Sequence, residues 1–139
     1  MRSELLGFGV AGDGQLGLRV TDTPFLATPE HIVGAPRGEN GISIAQVACG
    51  HRHTVFLTEA GELWSVGAND KGQLGRGSVS EGSFSIYPVL MNKGIRVIED
   101  GRLFVWGDNS CGQLALPANV ALQSQPKYAT RSTSNVDSS

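Results

Sequence analysis

Short apolar runs, each closed by a glycine and separated by polar turns, recur along the chain. Leu5-Leu6-Gly7-Phe8-Gly9, Leu63-Trp64-Ser65-Val66-Gly67 and Leu103-Phe104-Val105-Trp106-Gly107 are three of them. Runs this short, bounded by turn residues, predict strands rather than helices. Thr54-Val55-Phe56-Leu57-Thr58 is a further β-rich run and predicts a strand buried on both faces. Glu59-Ala60-Gly61-Glu62 then predicts a tight hairpin turn, with Gly61 free to take positive φ, and Leu63 to Val66 returns as the partner strand. Asn69-Asp70-Lys71-Gly72 predicts a second turn, because Asn and Asp side chains bond their own backbone. Gly67 and Gly75 read as points of close backbone approach.

The pattern is an internal repeat. After each of the three strands come four turn residues, then Gly-Gln-Leu and a small residue: Gly14-Gln15-Leu16-Gly17, Gly72-Gln73-Leu74-Gly75 and Gly112-Gln113-Leu114-Ala115. A proline follows each glutamine at a similar distance, Pro29 by 14 residues, Pro88 by 15 and Pro126 by 13. An acidic turn precedes two of the strands, at Glu59-Ala60-Gly61-Glu62 and Glu99-Asp100-Gly101-Arg102. One such unit is a small sheet that cannot bury both faces alone, so neighbouring units must stack on it.

On these residues the chain resembles the regulator-of-chromosome-condensation repeat family. Val105-Trp106-Gly107-Asp108-Asn109 and Gly112-Gln113-Leu114 match one part of that family's pattern, and Val47-Ala48-Cys49-Gly50-His51-Arg52-His53-Thr54 match another. The resemblance covers roughly residues 4–128. It implies an all-β fold, a partial β-propeller of stacked antiparallel blades. It also implies that His53 is structural and bonds to backbone near the neighbouring turn.

The chain departs from the pattern in one interval. From Pro29 to Gly61 is 32 residues, but from Pro88 to Gly101 only 13, and the shortfall falls where a central strand should begin. Ile95-Arg96-Val97-Ile98 leads toward that strand, and Glu99-Asp100-Gly101 follows at once. The expected organisation is therefore residues 1–129 as repeats, with copies near 4–58, 59–98 and 99–129 and a strand missing after residue 98. A polar, serine-rich tail over 130–139 is expected to be disordered. With fewer than three repeats the propeller is open, and its edges predict marginal stability and self-association.

Composition narrows the function. The 19 glycines agree with many tight turns. Eleven basic residues against 13 acidic give a net charge of −2, which argues against a nucleic-acid surface or a polybasic membrane patch. No apolar run reaches membrane-span length, and Met1 to Gly9 is too glycine-broken for a signal peptide. Two cysteines, Cys49 and Cys111, make no disulfide framework, so an intracellular setting, cytoplasm or nucleus, is expected.

Candidate chemistry is sparse. Gly7-Phe8-Gly9-Val10-Ala11-Gly12 fits G-x-G-x-x-G, but a glycine-rich turn follows where a dinucleotide site needs a helix. Cys49, His51 and His53 suggest metal, yet His31 reads as a loop residue and Cys111 belongs to another repeat's turn, so no four-ligand set is expected. Glu99 and Asp100 read as turn residues, not an acid–base pair. Trp64 and Trp106 read as core residues pointing to opposite faces of their strands. No catalytic, cofactor or metal site is assigned, and partner-binding residues are left open. The expected function is a protein–protein interaction scaffold, not an enzyme. The resemblance adds an alternative, guanine-nucleotide exchange on a Ran-like small GTPase.

Overall fold

A computed structural model of the chain describes residues 4–18, 24–32, 34, 44–90, 104–111, 113–114 and 119–128. Among them there is no helix. The strands are β1 (Leu6–Val10), β2 (Phe25–His31), β3 (Ile44–Cys49), β4 (His53–Thr58), β5 (Leu63–Ala68), β6 (Gly82–Pro88), β7 (Phe104–Asp108) and β8 (Leu122–Tyr128). They form three antiparallel sheets: β1-β2, the four-stranded β3-β4-β5-β6, and β7-β8. The architecture is an open stack of propeller blades, the middle one with four strands. The proposed missing strand after Ile98, the Glu99-Asp100 turn and the 130–139 tail lie outside the described residues.

The repeat is visible in the backbone itself. β1-β2, β5-β6 and β7-β8 pair with the same register and slip at the same place, between Gly7 and Gly9, Ser65 and Gly67, and Val105 and Gly107. The glycine after each slip is left-handed, with φ of 103° at Gly9, 114° at Gly67 and 107° at Gly107. A side chain would strain this conformation, which is why each strand motif ends in glycine.

The main core lies between the first two sheets. Ile32, Phe56, Val66 and Ile86 are buried together, with Leu5, Leu18, Ile44 and Trp64 packed around them. Each fully buried large side chain contributes about 1.5–3 kcal/mol. Trp64 and Trp106 share a face, contrary to the expectation of opposite faces. They occupy the second and fourth positions of equivalent strands, an even offset, and side chains alternate with period two. Trp64 packs beside Val66, and Trp106 takes Val66's position in the third copy. His31 also departs from its expected loop: it ends β2, exposed.

Candidate partner-binding rim

The turns after β1, β5 and β7 line up on one rim. In each, the glutamine side chain reaches back and accepts from the backbone N–H two residues earlier: Asp13 to Gln15 at 2.9 Å, Lys71 to Gln73 at 2.8 Å and Cys111 to Gln113 at 2.8 Å. In the second and third copies an asparagine adds a second clamp. Asn69 Oδ1 accepts from Leu74 N (3.2 Å) while its amide donates to Ser78 O (3.0 Å). Asn109 repeats this with Leu114 N (3.0 Å) and Val120 O (2.7 Å). Both asparagines are buried, so their full pairing avoids the cost of an orphaned amide.

The turns also join the blades. A Cβ on Gly14 would stand 2.7 Å from Ser83 O of β6, and one on Gly72 would stand 2.7 Å from Ser124 Cα of β8. The buried Thr54 hydroxyl donates to Gln15 O at 2.7 Å, tying β4 to the preceding turn. The equivalent carbonyl, Gln73 O, accepts instead from the Trp106 indole N–H at 2.8 Å.

Arg52, in the loop between β3 and β4, is the centre of the rim's charge. Its Nη2 and Nε reach Asp13 Oδ1 (2.9 Å) and Oδ2 (3.2 Å), and its Nη1 reaches Asp70 Oδ2 at 3.4 Å. The fork thus spans the turns of two successive blades. Its backbone is held too, because Arg52 O accepts from Ala68 N at 2.9 Å. The hydrogen bond from Arg52 holds the Asp13 carboxyl below the ordinary carboxylate range, and Asp13 in turn raises Arg52. Asp70 is lowered chiefly by the Gln73 amide, which donates to it at 3.0 Å. Asp108 is lowered chiefly by the Ser110 backbone N–H. All these groups stay charged near neutrality, with Asp13 and Asp70 on clamped turns, Asp108 at the end of β7 and Arg52 in the β3–β4 loop.

The residues singled out for metal are placed apart. Cys49 ends β3, His51 is exposed in the following loop, and Cys111 is exposed on the third turn. Among the described residues no three His, Cys, Asp or Glu side chains converge as a metal set. The ring of His53 lies against Gly50, where a Cβ would be 2.3 Å from its Cε1, and burial lowers its pKa. His53, the first residue of β4, thus sits between Gly50 and its pairing partner Gly67 of β5. The G-x-G-x-x-G stretch runs along β1 into the first turn.

Sequence reading missed Arg52 as a bridge, since Asp13 lies 39 residues away. The arginine inside the Cys-Gly-His-Arg-His stretch was the only available signal.

The repeats, their shared register and the glutamine clamps point to one family, and comparison with known proteins agrees. Models of the regulator of chromosome condensation (RCC1) repeat match residues 3–57 and residues 44–73 and 99–113. The chain belongs to the regulator of chromosome condensation repeat family. It is 35% identical over 141 residues to the X-linked retinitis pigmentosa GTPase regulator of the dog, covering 92% of this chain and 13% of that protein. It is 31% identical over 150 residues to the human probable E3 ubiquitin-protein ligase HERC6, covering 97% of this chain and 14% of that protein. Human WBSCR16 has a similar crystal structure, with a TM-score of 0.79 at 26% identity, covering 95% of this chain and 36% of that one. Prp20p of Saccharomyces cerevisiae shares the fold, with a TM-score of 0.71 at 18% identity, covering 94% of this chain and 35% of that one. The chain thus spans roughly an eighth of those first two relatives and about a third of the solved propeller chains. Among the described residues no helix is long and apolar enough to cross a membrane.

Proposed function

We propose that this chain is a protein-interaction module whose docking surface is the rim centred on Arg52. The observation that carries this reading is the Arg52 fork, exposed and held between Asp13 and Asp70 on the turns of two blades. Charges fixed on clamped turns steer and orient a partner at little entropic cost. Among its described residues the rim supplies no nucleophile with an adjacent base, so its chemistry is recognition.

A small GTPase is the partner class the relatives favour, because the dog and human proteins at 35% and 34% identity are named as GTPase regulators. Prp20p, which shares the fold, binds Gsp1p and histones. Guanine-nucleotide exchange is the second reading, resting on the same relatives. It requires the chain to open the GTPase's nucleotide site, not merely to hold the GTPase.

Binding of the chain to a panel of purified small GTPases, measured by biolayer interferometry beside release of a fluorescent guanine nucleotide, separates the readings. Saturable binding that Arg52→Glu abolishes, without faster release, is the expected result. Faster release at micromolar chain establishes exchange. Absence of binding to every GTPase removes that partner class, and binding indifferent to Arg52→Glu removes the rim.

A further inference from the structure

The second blade holds a half-buried cation with no counter-ion. Arg76 follows the second Gly-Gln-Leu-Gly turn, and its guanidinium reaches the register slip between β5 and β6. There its Nη2 donates to Ser65 O of β5 and, at 3.2 Å, to Ser85 O of β6. The guanidinium carbon stands 5.2 Å from the centre of the Tyr87 ring. The Nε is buried and has no acceptor. Among the described residues no carboxylate pairs with Arg76, whereas Arg52 has two. Carbonyl oxygens and an aromatic face only partly offset the water that a charge loses on burial. Burial lowers the Arg76 pKa, yet an arginine stays charged all the same.

The scaffold does not demand a charge at this place. The residue after the equivalent turn is Leu18 in the first copy and Leu116 in the third. Leu18 packs against the apolar core. In the second copy the arginine is held between two left-handed glycines, Gly75 with φ 65° and Gly77 with φ 79°. A Cβ on Gly75 would stand 2.9 Å from Val89 Cγ1, and one on Gly77 2.9 Å from Leu90 Cδ2. Leu90 N also donates to Gly75 O at 2.9 Å, so the arginine's backbone is fastened to the segment after β6. Beside the guanidinium the surface is apolar, with Tyr87 and Leu90 both exposed. The backbone of β6 is occupied here. Ser83 Oγ accepts from Ser85 N at 3.2 Å and donates to Ser85 O at 2.7 Å, which leaves recognition to side chains rather than to strand addition.

We propose that Arg76, Tyr87 and Leu90 form a docking site for an acidic peptide segment of a partner protein. The segment places a carboxylate on Arg76 Nη1 and an apolar side chain over Tyr87 and Leu90. Charge complementarity selects the occupant, because an anion supplies what the guanidinium lacks. A charge-assisted bond is strengthened where the cation is partly desolvated, and a backbone fixed in advance lowers the entropic cost of docking. The site shares no residue with the Arg52 rim and does not depend on the rim's partner.

The test is a fluorescein-labelled, end-capped peptide, Gly-Leu-Glu-Leu-Gly, titrated with the full chain. Its anisotropy is expected to rise to saturation. The same peptide with glutamine in place of glutamate is expected to bind about tenfold more weakly, from loss of one charge-assisted bond. Arg76→Leu, which copies the residue of the other two repeats, is expected to weaken the glutamate peptide to the same degree. Tyr87→Ala is expected to weaken it about threefold, from loss of apolar contact and of the ring beside the cation. No saturable rise with the unaltered chain overturns the proposal. So does equal binding of the glutamine peptide, or full binding to an Arg76→Leu chain. Where Arg76→Leu alters the unliganded melting profile, the glutamine peptide and the exposed Tyr87→Ala site decide the matter, and indifference to both overturns the proposal.

Discussion

β5 and β7 carry nearly the same instruction and sit in different company. Both are apolar strands that slip register before a left-handed glycine and turn through a glutamine clamp. Around Gly67 the backbone of Arg52 and His53 closes in, while among the described residues a Cβ added at Gly107 meets nothing closer than Gln73 Cα at 3.8 Å. The geometry of the strand pair is therefore intrinsic to the pair. It also recurs at Gly9, where among the described residues no atom lies within 4 Å of an added Cβ.

That difference is most sharply exposed at the two glycines. Gly67→Ala combines positive-φ strain with a clash against fixed backbone and is expected to cost about 3 kcal/mol or more. Gly107→Ala carries the strain alone and is expected to cost about 1–2 kcal/mol. Urea titrations of both variants beside the unaltered chain measure the gap, and equal losses would mean that the surroundings of the two sites do not differ. Next come the two bonds to the glutamine carbonyls. Thr54→Val leaves Gln15 O unpaired in a buried setting and is expected to cost about 1–3 kcal/mol. Trp106→Phe is expected to cost less, about 1 kcal/mol, because Gln73 lines a cleft and water replaces the indole. Thermal melts rank the pair, and the reverse order would show that the third sheet is as closely packed as the second.

Acidification gives a smaller and reversible effect on the same comparison. Burial holds His53 below its ordinary 6.5, so the unfolded chain takes up its proton first. Stability is complete above the unfolded value and falls as pH drops from that value toward the folded one. The melting temperature is expected to decline as pH is lowered through 6.5, and His53→Gln to flatten the decline. The third sheet has no described histidine to respond. Smallest is Arg52→Ala, expected to leave the urea midpoint nearly unchanged, as loss of an exposed ion pair does. A larger loss in a urea titration would make the Arg52 bridge a structural joint between blades rather than a surface for partners.

Much of the second blade was legible because its signals are local. The Thr54–Thr58 strand, the Gly61 hairpin and the Asn69 turn each follow from a few adjacent residues, and Gly61 takes φ 83° as expected. The tryptophan faces were misjudged because position within the repeat, not within each strand's surroundings, sets them, and an offset of two preserves the face. His31 reads as a loop residue in the sequence, yet it ends β2 opposite Leu6. The rim was the least legible feature. Asp13, Arg52 and Asp70 meet only because stacking brings three loops together, and no spacing rule in the sequence encodes that meeting.

The glutamine clamp has one more consequence. Each turn is tied by its own amide to its own backbone, and the captured residue supplies its backbone N–H to that bond, not its side chain. At that one equivalent point the three copies carry Asp13, Lys71 and Cys111, an acid, a base and a thiol. The fold thus behaves like a keyboard of like sockets, in which substitution at each changes what the surface says while the clamp itself is kept.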